Sequence, residues 1–242
     1  MTTAPHADQV RLLDVQELDT RTDQLDHQRR TLPELATVAA LKTRCADLQR
    51  VLTAARTTTD DLLRELTKAE ADVEQVRART VRDQGRLDSG SASLKDVQAL
   101  TAEIEHLAGR QAVLEDAQLA VMERLEVQQS ALDEAQAAFD AADTELTSAQ
   151  AAADTALAAL DAQTTEVAAQ RATAADGLDT ALLALYEKLR AQRGGRGAGR
   201  LVGTRCEGCH MELNPLDREA IASAPADQVV RCEECRRILV RV

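Results

Sequence analysis

Apolar side chains recur in alternating steps of three and four along most of this chain, and no other feature limits its fold so tightly. From Val38 the steps fall on Leu41, Cys45, Leu48, Leu52, Ala55 and onward to Thr80, and 11 of the 13 positions are apolar. From Val97 they fall on Leu100, Ile104, Leu107 and onward through Val121, Leu132, Phe139 and Leu160 to Ala174, with 18 of 23 apolar. A composition that is 44% apolar would supply about 6 and about 10 by chance. A seven-residue repeat places one greasy stripe along a helix and drives helices together as a coiled coil. The breakers agree, since neither Gly nor Pro lies between Gly109 and Gly177 or between Pro33 and Gly85.

The two repeats are separated by the turn-like cluster Gly85 to Ser91, within a tip placed at about residues 85–92. Ser93, with Asp96 three residues on, has the form of a helix N-terminal capping box. Two arms joined by so short a turn are expected to fold back as an antiparallel hairpin. Core positions then pair where residue numbers sum to a constant, and sums of 180 and 173 both match core to core. A turn centred near Ser89 and Gly90 favours 180, which sets Leu66 against Leu114, Ala55 against Leu125 and Leu41 against Phe139. An arm of about 80 residues would be roughly 120 Å long. Leu12, Val15, Leu18, Leu25 and Leu32 continue helical spacing toward the N-terminus. Pro33 is expected to kink or break that helix, at residues 31–33, with Thr31 as a cap. The second arm is expected to run to about Arg193, where Gly194, Gly195, Gly197 and Gly199 end it. Its last turns carry Leu178, Leu182, Leu185, Tyr186 and Leu189, a stripe that needs cover, and the C-terminal module is the nearest source.

The composition fits this reading. Phe139 and Tyr186 are the only aromatic residues and there is no Trp, so a conventional core built on large rings is excluded. So is a nucleic-acid surface that stacks bases on aromatic platforms. No run of 18 apolar residues marks a membrane span, and Met1 to Arg11 lacks the basic-then-apolar form of a secretory leader. The expected location is cytoplasmic. There, two Cys-x-x-Cys pairs point to metal before disulfide.

Those pairs are Cys206 with Cys209 and Cys232 with Cys235. Each tight turn aims two thiolates at one point, and two such turns supply the tetrahedral four-sulfur set that suits Zn²⁺. Four cysteines leave no open position for water, so the expected cofactor is one structural Zn²⁺. His210 reads as a neighbour of the site rather than a ligand, and His6, His27 and His106 share no metal spacing. Strand-like runs at 199–205, 228–231 and 236–242 and a helical turn at 216–223 complete a small β zinc ribbon. The chain therefore divides into a hairpin at 1–193, a Gly/Arg linker at 194–200 and a ribbon at 201–242. Its fold class is mainly α: a long antiparallel coiled-coil helical hairpin followed by a small C-terminal ribbon.

Charge is unevenly spread. Residues 194–242 carry a formal +1 and residues 1–193 a formal −13, which together give the chain's −12. The acidic part repels a phosphate backbone. The junction differs, because Lys188, Arg190, Arg193, Arg196, Arg200 and Arg205 occur with no acid among them. Arg231, Arg236, Arg237 and Arg241 would extend that surface toward RNA or DNA. The plainer reading is a solvated helix end, where cations are favoured near the C-terminus. Cys45 sits at a core position and reads as a buried thiol. No Ser-His-Asp set, phosphate-binding Gly loop or paired carboxylate site stands out, so neither an enzyme nor a small-molecule substrate is expected.

Several stretches carry a resemblance. They are Leu87-Asp88-Ser89-Gly90 with Asp96-Val97-Gln98-Ala99-Leu100, then Leu185-Tyr186-Glu187-Lys188-Leu189-Arg190, then Cys206-Glu207-Gly208-Cys209-His210-Met211 and Val230-Arg231-Cys232-Glu233-Glu234-Cys235. Together the chain resembles the bacterial C4-type zinc-ribbon family with a long N-terminal coiled-coil hairpin. Arg236 departs from it, standing where family ribbons often have Gly. The resemblance implies a non-enzymatic adaptor. Studied relatives are linked to flagellar or type III secretion proteins, to an alternative sigma factor and to mRNA, and only the adaptor character carries over. Protein–protein scaffolding is the first expected function, and RNA or DNA binding through the Arg-rich junction and ribbon is the alternative.

Overall fold

A computed structural model of the chain describes residues 2–90 and 93–242, so Met1 and, at the tip, Ser91 and Ala92 lie outside the described residues. The elements in order are α1 (His6–Arg30), α2 (Pro33–Asp88), α3 (Leu94–Ala175), α4 (Thr180–Gln192), β1 (Ala198–Val202), β2 (Arg205–Cys206), α5 (Pro215–Ser223) and β3 (Ile238–Arg241). They form two compact units, Thr37–Gln150 on its own and Met1–Ala36 with Ala151–Val242. None of the helices among the described residues is long and apolar enough to cross a membrane.

The unit Thr37–Gln150 is a two-helix coiled coil built from α2 and α3. Its heptad positions do what the periodicity requires. Cys45, Leu52, Leu62, Val73 and Val76 of α2 and Leu100, Leu107, Val121 and Ala142 of α3 are buried. The arms run antiparallel, because cross-arm partners fall in number on α3 as they rise on α2. Arg44 meets Glu145, Glu65 meets Arg124, Arg77 meets Glu115 and Arg79 meets Glu103. Gln128 donates to the Ala55 carbonyl at 3.2 Å. The register departs from both expected sums: the four ion pairs add to 189, 189, 192 and 182 and fit 187, one heptad above 180, which also matches core to core. A sum of 180 would put Glu65 opposite Glu115, 12 residues and about 18 Å from the Arg77 that Glu115 meets, beyond the reach of the two side chains. The turn is shorter than expected, since α2 runs through Gly85 to Asp88. The capping box forms as read: Asp96 N donates to Ser93 Oγ and Ser93 N donates to Asp96 Oδ2, both at 3.3 Å.

The other unit is layered. Leu12 and Val15 of α1 pack with Leu178, Leu182, Tyr186 and Leu189 against Ala198, Ile238 and Val240 of the sheet, so the ribbon covers the expected stripe. The sheet order is β2-β1-β3, with β1 antiparallel to β2 and parallel to β3. The N-terminal segment joins it: Ala4 N donates to the Asp227 carbonyl at 2.8 Å and Val229 N to the Thr2 carbonyl at 3.1 Å. Pro33 produces a break rather than a kink, with Thr31 closing α1 from its C-terminal side and Pro33 as the first residue of α2.

Two expectations about this unit are corrected. The second arm does not run unbroken to Arg193, because α3 ends at Ala175 and α4 starts at Thr180. Gly177 there adopts a left-handed φ of 68°, a helix-stopping conformation that only Gly takes freely. Asp179 then caps α4 by accepting from Leu182 N at 2.9 Å. Helix α1 fixes the break, with Arg11 donating to the Ala174 and Asp176 carbonyls and Asp8 accepting from Asp179 N at 3.0 Å. The stretch 194–200, expected to be a linker, is packed and already contains the start of β1. A side chain at Gly197 would place its Cβ 2.6 Å from the Tyr186 carbonyl oxygen. Gln16 of α1 holds this segment by accepting from Gly197 N at 2.7 Å and Ala198 N at 3.2 Å.

Candidate metal centre and the basic residues around it

The four cysteines of the two pairs meet in space. The sulfurs of Cys206, Cys209, Cys232 and Cys235 all lie within 4.8 Å of one another, with Cys206 and Cys232 buried. A tetrahedral zinc with Zn–S bonds of about 2.3 Å needs sulfurs about 3.8 Å apart, and Cys209 and Cys232 stand at 3.9 Å. The donor chemistry fits as well as the spacing. Burial pushes the Cys206 thiol up to about 12, against hydrogen bonds from the amides of Gly208 and Cys209. Burial likewise raises Cys232, opposed by the amides of Glu234 and Cys235. A metal among these thiols supplies the charge that keeps them ionised, so binding and deprotonation go together.

The two turns are copies at a spacing of 26 residues: Arg205, Cys206, Glu207, Cys209 and Leu213 recur as Arg231, Cys232, Glu233, Cys235 and Leu239. Their backbones repeat too. Cys206 N donates to the Met211 carbonyl and Cys232 N to the Arg237 carbonyl, each at 3.0 Å, while His210 N and Arg236 N return to the Cys206 and Cys232 carbonyls at 2.7 and 2.8 Å. Each turn closes on a left-handed residue, His210 at φ 62° and Arg236 at φ 61°, where a side chain costs about 1–2 kcal/mol. Glycine takes this conformation without that cost. His210 is exposed, as are His6, His27 and His106. The internal repeat was visible in the sequence and would have paired Arg205 with Arg231.

The basic residues separate into two groups. Arg190 pairs with Asp19 and Asp23. Arg205 and Arg231 donate to the His210 and Arg236 carbonyls at 2.8 and 2.9 Å. Arg236 pairs with Glu233. Arg237 donates to the carbonyls of Arg193, Arg196 and Gly208, and Arg241 to five carbonyls between Ile221 and Gln228. Lys188, Arg193, Arg196 and Arg200 are exposed, and their side chains show no ion pair or hydrogen bond among the described residues.

Sequence reading missed Asp19, which is 3% exposed. It accepts from Arg171 Nε at 2.7 Å and from the Tyr186 hydroxyl at 2.6 Å, and Arg190 approaches at 3.4 Å. This cluster ties α1 to α3 and α4. Arg171 also pairs with Glu187. Burial first, then the hydrogen bond to Asp19, pushes the Tyr186 hydroxyl far above its ordinary value. No local pattern marks an aspartate among the polar residues of α1 as buried.

Comparison with known proteins agrees with this geometry. Residues 15–194 match a family described as a CT398-like coiled coil hairpin domain, and residues 205–239 match a C4-type zinc ribbon domain. Rv2229c of Mycobacterium tuberculosis is 36% identical over 236 residues, spanning 98% of this chain and 96% of its own. A solved Mycobacterium smegmatis structure, 35% identical, superposes with a TM-score of 0.87 over 99% of this chain and 100% of its own. CT398 from Chlamydia trachomatis, 18% identical, shares the fold with a TM-score of 0.68 over 98% of each chain. A C4-type ribbon with four clustered cysteines supports one structural zinc.

Proposed function

We propose that this chain, which belongs to the CT398-like coiled-coil hairpin family, is a non-enzymatic cytoplasmic adaptor that presents helical surfaces and a zinc ribbon to a protein partner. The proposed zinc ligands are Cys206, Cys209, Cys232 and Cys235. The observation that carries the reading is the closed set of four sulfurs, within 4.8 Å of one another. It fills the coordination of a zinc ion and leaves no position for a reacting water. The metal then serves shape, and function falls to the surface. Val113 and Val127 of α3 are 68% and 74% exposed and share one heptad position, so both stand on the same outer face. Affinity capture from native lysate with the full chain tests this. A captured protein should be lost when Val113→Glu and Val127→Glu are combined. Capture that ignores every change on the exposed faces and ribbon would overturn the adaptor reading.

A second reading, RNA or DNA binding, rests on four exposed cations of the junction, Lys188, Arg193, Arg196 and Arg200, whose side chains show no ion pair or hydrogen bond among the described residues. If all four meet phosphates, affinity for duplex DNA should fall with salt at a log–log slope near −4. Replacing Arg193 and Arg196 together with Ala should reduce that slope by about 2. Absence of binding to random RNA and duplex DNA at low salt eliminates this reading.

A further inference from the structure

Arg205 and Arg231 occupy the same place in the two copies of the cysteine turn. Each immediately precedes the first cysteine of its pair, and each directs Nε to the carbonyl of the residue that follows the second cysteine. Those bonds run from Arg205 to His210 at 2.8 Å and from Arg231 to Arg236 at 2.9 Å. The accepting residues are the two non-glycine residues with positive φ among the described residues. Two unrelated side chains, an imidazole and a guanidinium, are thus held in the same disfavoured conformation by the same contact. That conformation turns the chain back to its Cys206 and Cys232 carbonyls and so aims the cysteines of each pair at a common point.

We propose that Arg205 and Arg231 are positioning residues for zinc: each clamps the closing turn of its cysteine pair so that the thiolates are aimed before the ion arrives. This rests on the four-cysteine reading above. It assigns both arginines to the metal site in place of a nucleic-acid surface. Groups that orient metal ligands typically change affinity by about 10- to 100-fold. Both guanidinium groups are exposed, which places the expected effect at the low end.

The test uses the full chain and zinc competition against a chromophoric chelator. Arg205→Ala and Arg231→Ala should each weaken zinc binding about tenfold, while Arg200→Ala, a neighbour without this contact, should not change it. The ligand-field bands of the Co²⁺-substituted chain should shift in the first two variants and not in the third. Glycine adopts the left-handed turn freely, so in a His210→Gly background the cost of Arg205→Ala should largely vanish. Zinc affinity within twofold of the unaltered chain in both Ala variants overturns the proposal. So does an Arg205→Ala cost that is undiminished beside His210→Gly. Failure of the underlying reading looks different: the unaltered chain would bind no zinc, or Cys232→Ser would keep it at full stoichiometry.

Discussion

The unit Thr37–Gln150 and the unit formed by Met1–Ala36 and Ala151–Val242 use opposite strategies for burial. In the first, aliphatic residues on two helices are sealed by their own repeat, and the charged pairs are exposed; Arg44 and Glu145 are each 54% exposed. Thr59 is its one fully buried polar residue among those described, and it donates to its own helix at the Ala55 carbonyl. In the second unit α1 buries Gln9, Gln16 and Asp19, and each is bonded to a segment far away in sequence. A repeat that is satisfied locally needs no buried polar group. A core assembled from an N-terminal segment, three helices and a metal ribbon uses such groups to fix which segment goes where.

If that contrast holds, removing the metal separates the units most sharply. Chelation of zinc, or Cys232→Ser, should remove hydrogen-exchange protection from β1, β3 and the segment around Ala4, because small metal modules fold with their ion. Core amides of α2 and α3 near Leu52 and Val121 should keep theirs. Uniform loss of protection across both units would break the comparison.

Asp19→Ala comes next. It leaves Arg171, Arg190 and the Tyr186 hydroxyl without their shared acceptor, and breaking a buried pair costs about 3–5 kcal/mol. Arg171 and Arg190 retain some solvent, so about 3 kcal/mol is expected in denaturant unfolding. Tyr186→Phe removes one hydrogen bond to that carboxylate and should cost about 1.5–3 kcal/mol. It also has a pH signature. Because the folded pKa of Tyr186 is raised, its contribution is complete below the ordinary tyrosine value near 10 and is lost as pH rises through the folded one. Alkaline destabilisation above about pH 10 should therefore be weaker in Tyr186→Phe. A Phe variant with the same alkaline profile would show that the hydroxyl does not report on this core. Smallest of all, Arg44→Ala should change stability by less than about 1 kcal/mol, because its pair with Glu145 is exposed. A larger effect would mean that the coiled coil depends on its surface charges more than its core implies.

How much of this could be read in advance differs between the units in the same way. The heptad positions of α2 and α3, the capping box at Ser93 and Asp96, and the four cysteines are all patterns of neighbouring residues, and the chain alone displays them. The end of α3 was also legible, since Asp176-Gly177-Leu178-Asp179 pairs a helix-stopping glycine with a capping aspartate, but the apolar stripe running through it reads as one helix. The packed state of residues 194–200 was not legible. A run of glycines looks like a flexible linker unless the Tyr186 carbonyl that lies against Gly197 is known.

The amino-acid sequence by itself determined a long helical hairpin and a zinc ribbon, because heptad periodicity and Cys-x-x-Cys spacing are local requirements of coiled-coil and metal geometry. Only the tertiary structure decided the register, because a seven-residue repeat matches itself at every shift of seven and needs contacts such as Arg77 with Glu115 to break the tie. Tertiary structure likewise decided which arginines are free and which are bound to carbonyls, and that Asp19 is buried. Burial and pairing of a polar group depend on segments that meet only when the chain closes on itself, and no local pattern encodes that meeting.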